Sequence, residues 1–205
     1  YLKKKKEKID FCIVGEPSNR NKLGQMMKVG RRGSITTHLT VIGKQGHIAY
    51  PLEALNPATP IIKILDELKS KPLDKGNKNF QPSNLEITKI TIDNSADNVI
   101  PAKASATFNI RYNTLHTFSS LKKYISKIIK KYERKYKCKT QTQFQGTGTA
   151  FLTKPNQTVK KIRSIIKKET KQNTVLSTIG GTSDARFIKD IAPCVEFGLV
   201  GNTMH

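Results

Sequence analysis

The sequence predicts an α/β chain in which an α+β insert, a ferredoxin-like β-α-β-β-α-β unit, interrupts an outer α/β domain. Three observations predict it. Residues 33–145 carry apolar patterns in the order strand, helix, strand, strand, helix, strand. Short apolar runs of strand type lie outside that segment, at residues 8–15 and 195–199, and a helical pattern lies at 158–170. The 205 residues, 36% of them hydrophobic, suit one domain or two small ones with a packed core. The expected layout is a partial outer domain over 1–32, the insert over 33–145, and the outer domain continued and truncated over 146–205.

Each element has its own signal. Residues 8–15 read as a buried strand ending at Gly15, which puts Glu16 just past a strand end, where α/β sheets place ligand-binding groups. Leu23 to Val29 reads as a second short strand. Ser34 to Gly43 alternates through Ile35, Leu39 and Val41 and reads as the first strand of the insert. Pro57 suits the first turn of a helix carrying Ile61, Ile62, Leu65 and Leu68. Residues 71–83 read as a loop, and Leu85–Ile92 and Ala104–Tyr112 as strands. Phe118, Leu121, Ile125, Ile128, Tyr132 and Tyr136 recur at three- and four-residue steps and predict an amphipathic helix over 117–137. Thr140 to Phe144 closes the insert. Val159, Ile162, Ile165 and Ile166 are expected on one face of the helix at 158–170.

The net charge of +22 invites a nucleic-acid reading. Only 7 of the 37 basic residues are Arg, however, the opposite of the usual bias in proteins that read nucleic acid. A lysine-rich solvated surface is the better account, so neither a nucleic-acid nor a membrane partner is expected beyond non-specific attraction at low salt. No apolar run approaches a membrane span. Lys3–Lys6 is not followed by an apolar core, so no export signal is read. Cys12, Cys138 and Cys194 are odd in number and far apart, which fits a reducing cytoplasm rather than a disulfide framework.

Several residues are of types that carry chemistry. Glu16, in Gly-Glu-Pro, is a candidate hard-oxygen metal ligand or a turn carboxylate before Pro17. His205 follows a small-residue loop and is a candidate imidazole ligand or an ordinary terminal histidine. His47, between Gly46 and Ile48, is placed to donate to a developing oxyanion, or to sit in a strand-end turn. His38 and His116 lack such settings. The turn Gly180-Gly181-Thr182-Ser183-Asp184 offers amides and hydroxyls to an anion, or starts a helix with Thr182 or Ser183 as cap. Arg31, Arg32 and Arg111 stand out in an Arg-poor chain. Bidentate carboxylate binding and a structural ion pair fit them equally.

Order and spacing decide what single motifs do not. Val14-Gly15-Glu16-Pro17-Ser18, Gly30-Arg31-Arg32-Gly33-Ser34, Gly46-His47-Ile48-Ala49-Tyr50-Pro51, Asn98-Val99-Ile100-Pro101, Phe108-Asn109-Ile110-Arg111, Gly180-Gly181-Thr182-Ser183-Asp184-Ala185-Arg186-Phe187 and Thr203-Met204-His205 follow one another along nearly the whole chain. This series resembles the aminoacylase/carboxypeptidase family of dinuclear zinc hydrolases, and within it the succinyl-diaminopimelate desuccinylases more than the acetylornithine deacetylases or general aminoacylases.

The resemblance implies a discontinuous zinc-hydrolase catalytic domain with 33–145 as its dimerisation domain. It implies two zinc ions, with cobalt as a possible substitute, Glu16 on one and His205 on the other. His47 would reach across a homodimer to stabilise the oxyanion, accompanied by Tyr50 and Asn98. Arg31, Arg111 and Gly181, Thr182 and Ser183 would hold the carboxylates of a small dicarboxylate substrate. Family members carry a histidine ligand, a bridging aspartate and a glutamate pair upstream that this sequence lacks, so the 205 residues alone are expected to be catalytically silent. The reading of another class is a non-catalytic dimerisation module.

Overall fold

The computed structural model describes residues 7–92, 94, 96–181 and 183–201. The chain opens with β1 (Cys12–Val14), β2 (Met26–Lys28) and β3 (Gly30–Arg31). It continues with β4 (Gly33–Ile42), β5 (Gly46–His47), a 3-10 turn at Pro51–Glu53, α1 (Ala58–Lys69), β6 (Asn84–Thr91), β7 (Val99–Ile100), β8 (Lys103–Tyr112), α2 (Phe118–Tyr136) and β9 (Lys139–Gly146). It ends with β10 (Phe151–Leu152), α3 (Gln157–Thr170), β11 (Val175–Ser177), α4 (Ala185–Ile188) and β12 (Cys194–Glu196). These elements form two units, one of Ser34–Lys75 and Pro82–Thr147, the other of the remaining segments, Gly76–Gln81 among them.

The inserted unit is the ferredoxin-like fold that the sequence predicts. Its sheet runs β6-β8-β4-β9, so its four strands in chain order stand 2-3-1-4. β4 pairs antiparallel with β9, and β6 with β8, where a bulge interrupts the register between Ile87 and Lys89. Alternation along β4 and β8 turns Ile35, Leu39, Val41, Ala106, Phe108 and Ile110 into the core, where all are buried. Helix α1 packs on β8 and α2 on β9, and the helices pack on each other. They contribute Ile61, Ile64, Leu65, Leu68, Leu121, Ile125, Ile128 and Ile129. Each such side chain removed from water stabilises the fold by roughly 1.5–3 kcal/mol.

The caps fix the long helix. Thr117 and Ser120 form a capping box at the start of α2, and Lys137 ends it in the left-handed conformation at φ 52°. In α1 the expected apolar stripe is corrected by one position: Ile62 points outward and Ile64 inward, because Ile61, Ile64, Leu65 and Leu68 follow the i, i+3, i+4, i+7 rule.

The outer unit holds a four-stranded mixed sheet in the order β1-β12-β2-β11 and a short β3-β10 pair. β1 runs parallel to β12 and β2 parallel to β11, while β12 meets β2 antiparallel at Glu196 and Lys28. Helix α3 covers Met27, Val29 and Val195 with Val159, Ile162 and Ile166. Ile165, expected on that face, is turned to solvent. The buried strand expected over 8–15 is three residues long and half covered, with Ile13 55% exposed, and among the described residues β1 pairs with β12 alone. Gly76–Gln81, inside the 33–145 segment assigned to the insert, belong to the outer unit instead. There Phe80 is buried, and Thr178 Oγ1 donates to the Asn79 carbonyl at 2.6 Å.

Candidate functional site

In the outer unit, Glu16 is fixed by its backbone. β1 and β12 run in parallel, so the loops leaving them emerge at the same sheet end. The Glu16–Asn19 loop is stapled to the one after β12. Asn19 Nδ2 donates to the Gly198 carbonyl at 2.7 Å, Met26 N–H donates to Asn19 Oδ1 at 2.8 Å, and Gly201 N–H donates to the Asn19 carbonyl at 3.0 Å. Ser18 Oγ donates to the Met26 carbonyl and receives the Gly198 N–H. Gly198 has to be glycine, because a Cβ there would lie 2.6 Å from the Glu16 carbonyl oxygen. Ser18 and Asn19 thus hold the candidate ligand loop. The sequence signal for them was the affinity of Ser and Asn side chains for nearby backbone.

His205 and Thr182 lie outside the described residues. Among the described residues no group of three or more His, Cys, Asp or Glu gathers to hold a metal ion. Glu16 has the chemistry of a hard-oxygen ligand, but a two-ion centre needs more donors than the described residues bring together.

Beside β12 lies a buried charged group. Arg31 Nε donates to both oxygens of Glu196 at 2.9 Å, and its Nη2 ion-pairs with the same carboxylate. Nη1 donates to the Gly181 carbonyl at 3.0 Å, and Ser183 Oγ donates to Glu196. Glu196 is 1% exposed, and Arg31 and Ser183 are 7% each. Of the two readings open for Arg31, the structural ion pair is the one formed. Gly180, at φ +120°, leaves the guanidinium its space: a Cβ would stand 2.4 Å from Nη1. The expected helix cap moves one residue on, to Asp184, which makes no side-chain cap bond to the four-residue α4.

Lys28 is the unexpected member. Its ammonium is buried, 2.9 Å from Met26 Sδ and 3.5 Å from Ser177 Oγ. Burial, then the neighbouring Arg31 and Arg20 charges, lower its pKa to about 8 against the opposing pull of Glu196. Sequence reading missed Lys28 and Glu196. Their one signal was a charged residue inside an apolar strand.

In the inserted unit, His47, Tyr50 and Asn98 come together. β5 pairs with β7 through Gly46↔Ile100 and His47↔Val99, and Ile48 N–H donates to the Asn98 carbonyl at 3.0 Å. Ala49 N–H donates to His47 Nδ1 at 3.1 Å, so the neutral ring carries its proton on Nε2. The Asn98 amide lies 3.4 Å from Nε2, and the Tyr50 ring centroid 5.9 Å from that of His47. The loop is rigid: Tyr50 N–H returns to the His47 carbonyl, and Gly46 packs so close to Ala54 that a Cβ would approach within 2.8 Å. Its outer side is nonetheless bare and apolar, with Tyr50 62% and Leu52 100% exposed.

Arg111 sits half-buried on β8, opposite Asn84, and no described contact joins it to the His47 group. His38 bonds Thr107 Oγ1, and His116 pairs with the buried Asp74, both structural roles.

Known proteins resemble this arrangement along its length. Residues 29–137 match the peptidase dimerisation domain family. The succinyl-diaminopimelate desuccinylase of Pelagibacter ubique is 63% identical over all 205 residues, which is 53% of that protein. The enzyme of the same name from Rhodospirillum centenum is 49% identical over 97% of this chain and 50% of its own. The chain spans about half the length of the curated relatives it matches. Among solved structures, a Staphylococcus aureus tripeptidase superposes with a TM-score of 0.78 at 20% identity, over 96% of this chain and 50% of its own. A Bacillus cereus aminopeptidase gives 0.76 at 13%, over 95% and 50%. By the match over 29–137, which takes in the whole of both helices of the inserted unit, the chain belongs to the peptidase dimerisation domain family.

Proposed function

We propose that this chain is part of a succinyl-diaminopimelate desuccinylase, which hydrolyses N-succinyl-LL-2,6-diaminopimelate to succinate and LL-diaminopimelate. That step belongs to lysine and diaminopimelate synthesis in the cytoplasm. The observation that carries the reading is the 63% identity, over every residue of this chain, to a relative of that name.

The chemistry of the residues supports it. Attack of water on an amide puts negative charge on the carbonyl oxygen, and a donor fixed in advance stabilises that charge. His47 would be such a donor through Nε2, since its Nδ1 is taken by Ala49 N–H. In this reading it serves the active site of a second copy in a homodimer. The bare Tyr50 and Leu52 beside it are suited to burial against that copy. Glu16 and His205 would each hold one of two zinc ions, or cobalt. A zinc ion bound there would polarise the amide carbonyl and lower the pKa of its water to about 7. Arg111 and the Gly181–Ser183 turn would receive the carboxylates of the substrate. Arg31 supports that turn from beneath rather than meeting the substrate with a free fork.

The test is turnover of N-succinyl-LL-2,6-diaminopimelate against N-acetylornithine by the complete polypeptide that carries this chain. Preference for the succinyl substrate by tenfold or more in kcat/KM is expected. Preference for acetylornithine, or metal-independent turnover, would overturn the reading.

A further inference from the structure

The geometry assigns Glu196 the role of a positioning residue for Gly181 and Ser183, setting how this glycine-led turn meets a carboxylate. This rests on the desuccinylase reading for the ligand, but not for the geometry. Glu196 has no path to a ligand of its own, being 1% exposed. Instead it grips the turn twice. It accepts the Ser183 hydroxyl directly, and it fixes Arg31, whose remaining arm holds the Gly181 carbonyl at 3.0 Å.

Two consequences follow. A carbonyl oxygen carries partial negative charge and repels an anion, so a turn receives a carboxylate well only if its carbonyls face elsewhere. Arg31 turns the Gly181 carbonyl inward and keeps it there. Arg31 is itself neutralised by Glu196, so the turn gains orientation from the guanidinium without gaining its full charge. Gly180 completes the device: at φ +120° it has no Cβ to push Arg31 Nη1 from the carbonyl. Without the carboxylate, Arg31 loses its anchor and Ser183 its acceptor, and both grips on the turn release together.

The experiment compares wild type, Glu196→Gln and Glu196→Asp in the complete polypeptide. Glu196→Gln keeps the shape and removes the charge. Hydrogen exchange at Ile179 and Arg186, whose amides donate to Ser177 Oγ and to the Ser183 carbonyl on either side of the turn, is expected to quicken by about tenfold or more, while β2 and β12 keep their protection. KM for N-succinyl-diaminopimelate is expected to rise by about tenfold or more, with kcat changing less than about threefold. Glu196→Asp, which restores the charge, should recover at least half of the KM effect on a logarithmic scale. A purely structural role would lower the active fraction, so kcat would fall with KM unchanged. That result, or Ile179 and Arg186 amides no faster in Glu196→Gln, would overturn the assignment. Should Glu196→Gln fail to fold, Arg31→Lys tests the same grip on Gly181 by the same two readouts. Should wild type not act on the succinyl substrate, the functional reading fails, and hydrogen exchange still decides the role of Glu196.

Discussion

Removing one partner of the Arg31–Glu196 pair should cost far more than removing both. Glu196 is 1% exposed and Arg31 7%, so neither charge is rescued by water once its partner is gone. In Glu196→Leu a buried guanidinium is left with the Gly181 carbonyl as its described acceptor, and the Ser183 hydroxyl loses its own. Breaking a buried pair costs about 3–5 kcal/mol, so we expect a loss in that range. Arg31→Met strands the carboxylate instead and should cost as much. The double variant strands no charge. It leaves the Gly181 carbonyl and the Ser183 hydroxyl short of a partner, at about 1–3 kcal/mol in all. Urea denaturation followed by circular dichroism gives the three values, and the coupling should be about 3 kcal/mol or more. Additive losses would refute the reasoning, as would single losses under about 1 kcal/mol, the range of surface ion pairs.

Three further outcomes follow from individual positions. Thr37 is fully buried with no partner for its hydroxyl among the described residues, so Thr37→Val should stabilise the chain by about 1 kcal/mol, read as a higher urea midpoint. Phe108 is 0% exposed at the centre of the inserted unit, and Phe108→Ala should cost about 3–5 kcal/mol by the same assay. Lys28 has a folded pKa of about 8 against its usual 10.5, so between those values the unfolded chain binds the extra proton. The Lys28 contribution therefore gains stability as pH rises from 8 to 10.5, and Lys28→Met should remove that slope when urea midpoints are compared at pH 8 and pH 10.

What the sequence made legible was whatever repeats locally. Helix α2 was readable to within a residue, because Phe118, Leu121, Ile125, Ile128, Tyr132 and Tyr136 recur at three- and four-residue steps from end to end of it. The first strand of the insert was readable from alternation, and in the structure Ile35, Leu39 and Val41 are among the side chains that face inward. The boundary of that unit was not readable in full. Nothing local distinguishes Gly76–Gln81 from the loop around them, and what ties them to the outer unit is the Thr178 hydroxyl on the Asn79 carbonyl, 99 positions away.

At the candidate site, glycines and histidines stood out by type, whereas their supports did not. Glu196 is one carboxylate in a strand of three residues, and what makes it matter is Arg31, which lies 165 positions away. Asn19 likewise answers to Gly198, across 179 positions. A periodic pattern reports burial, but a buried charge is explained only by its partner, which a local reading does not supply.

The most direct measurement mixes two inactive variants of the complete polypeptide. In the proposed reading His47→Ala removes the oxyanion donor and Glu16→Ala a metal ligand, so each variant by itself should be inactive. If His47 serves the active site of the other copy, a mixed dimer holds one complete site, built from the Glu16 of one copy and the His47 of the other. Random reassortment makes half of the dimers mixed, each with one working site of two, so about a quarter of wild-type activity should return. No recovery in a mixture shown to contain mixed dimers would contradict the account, as would full activity of His47→Ala by itself.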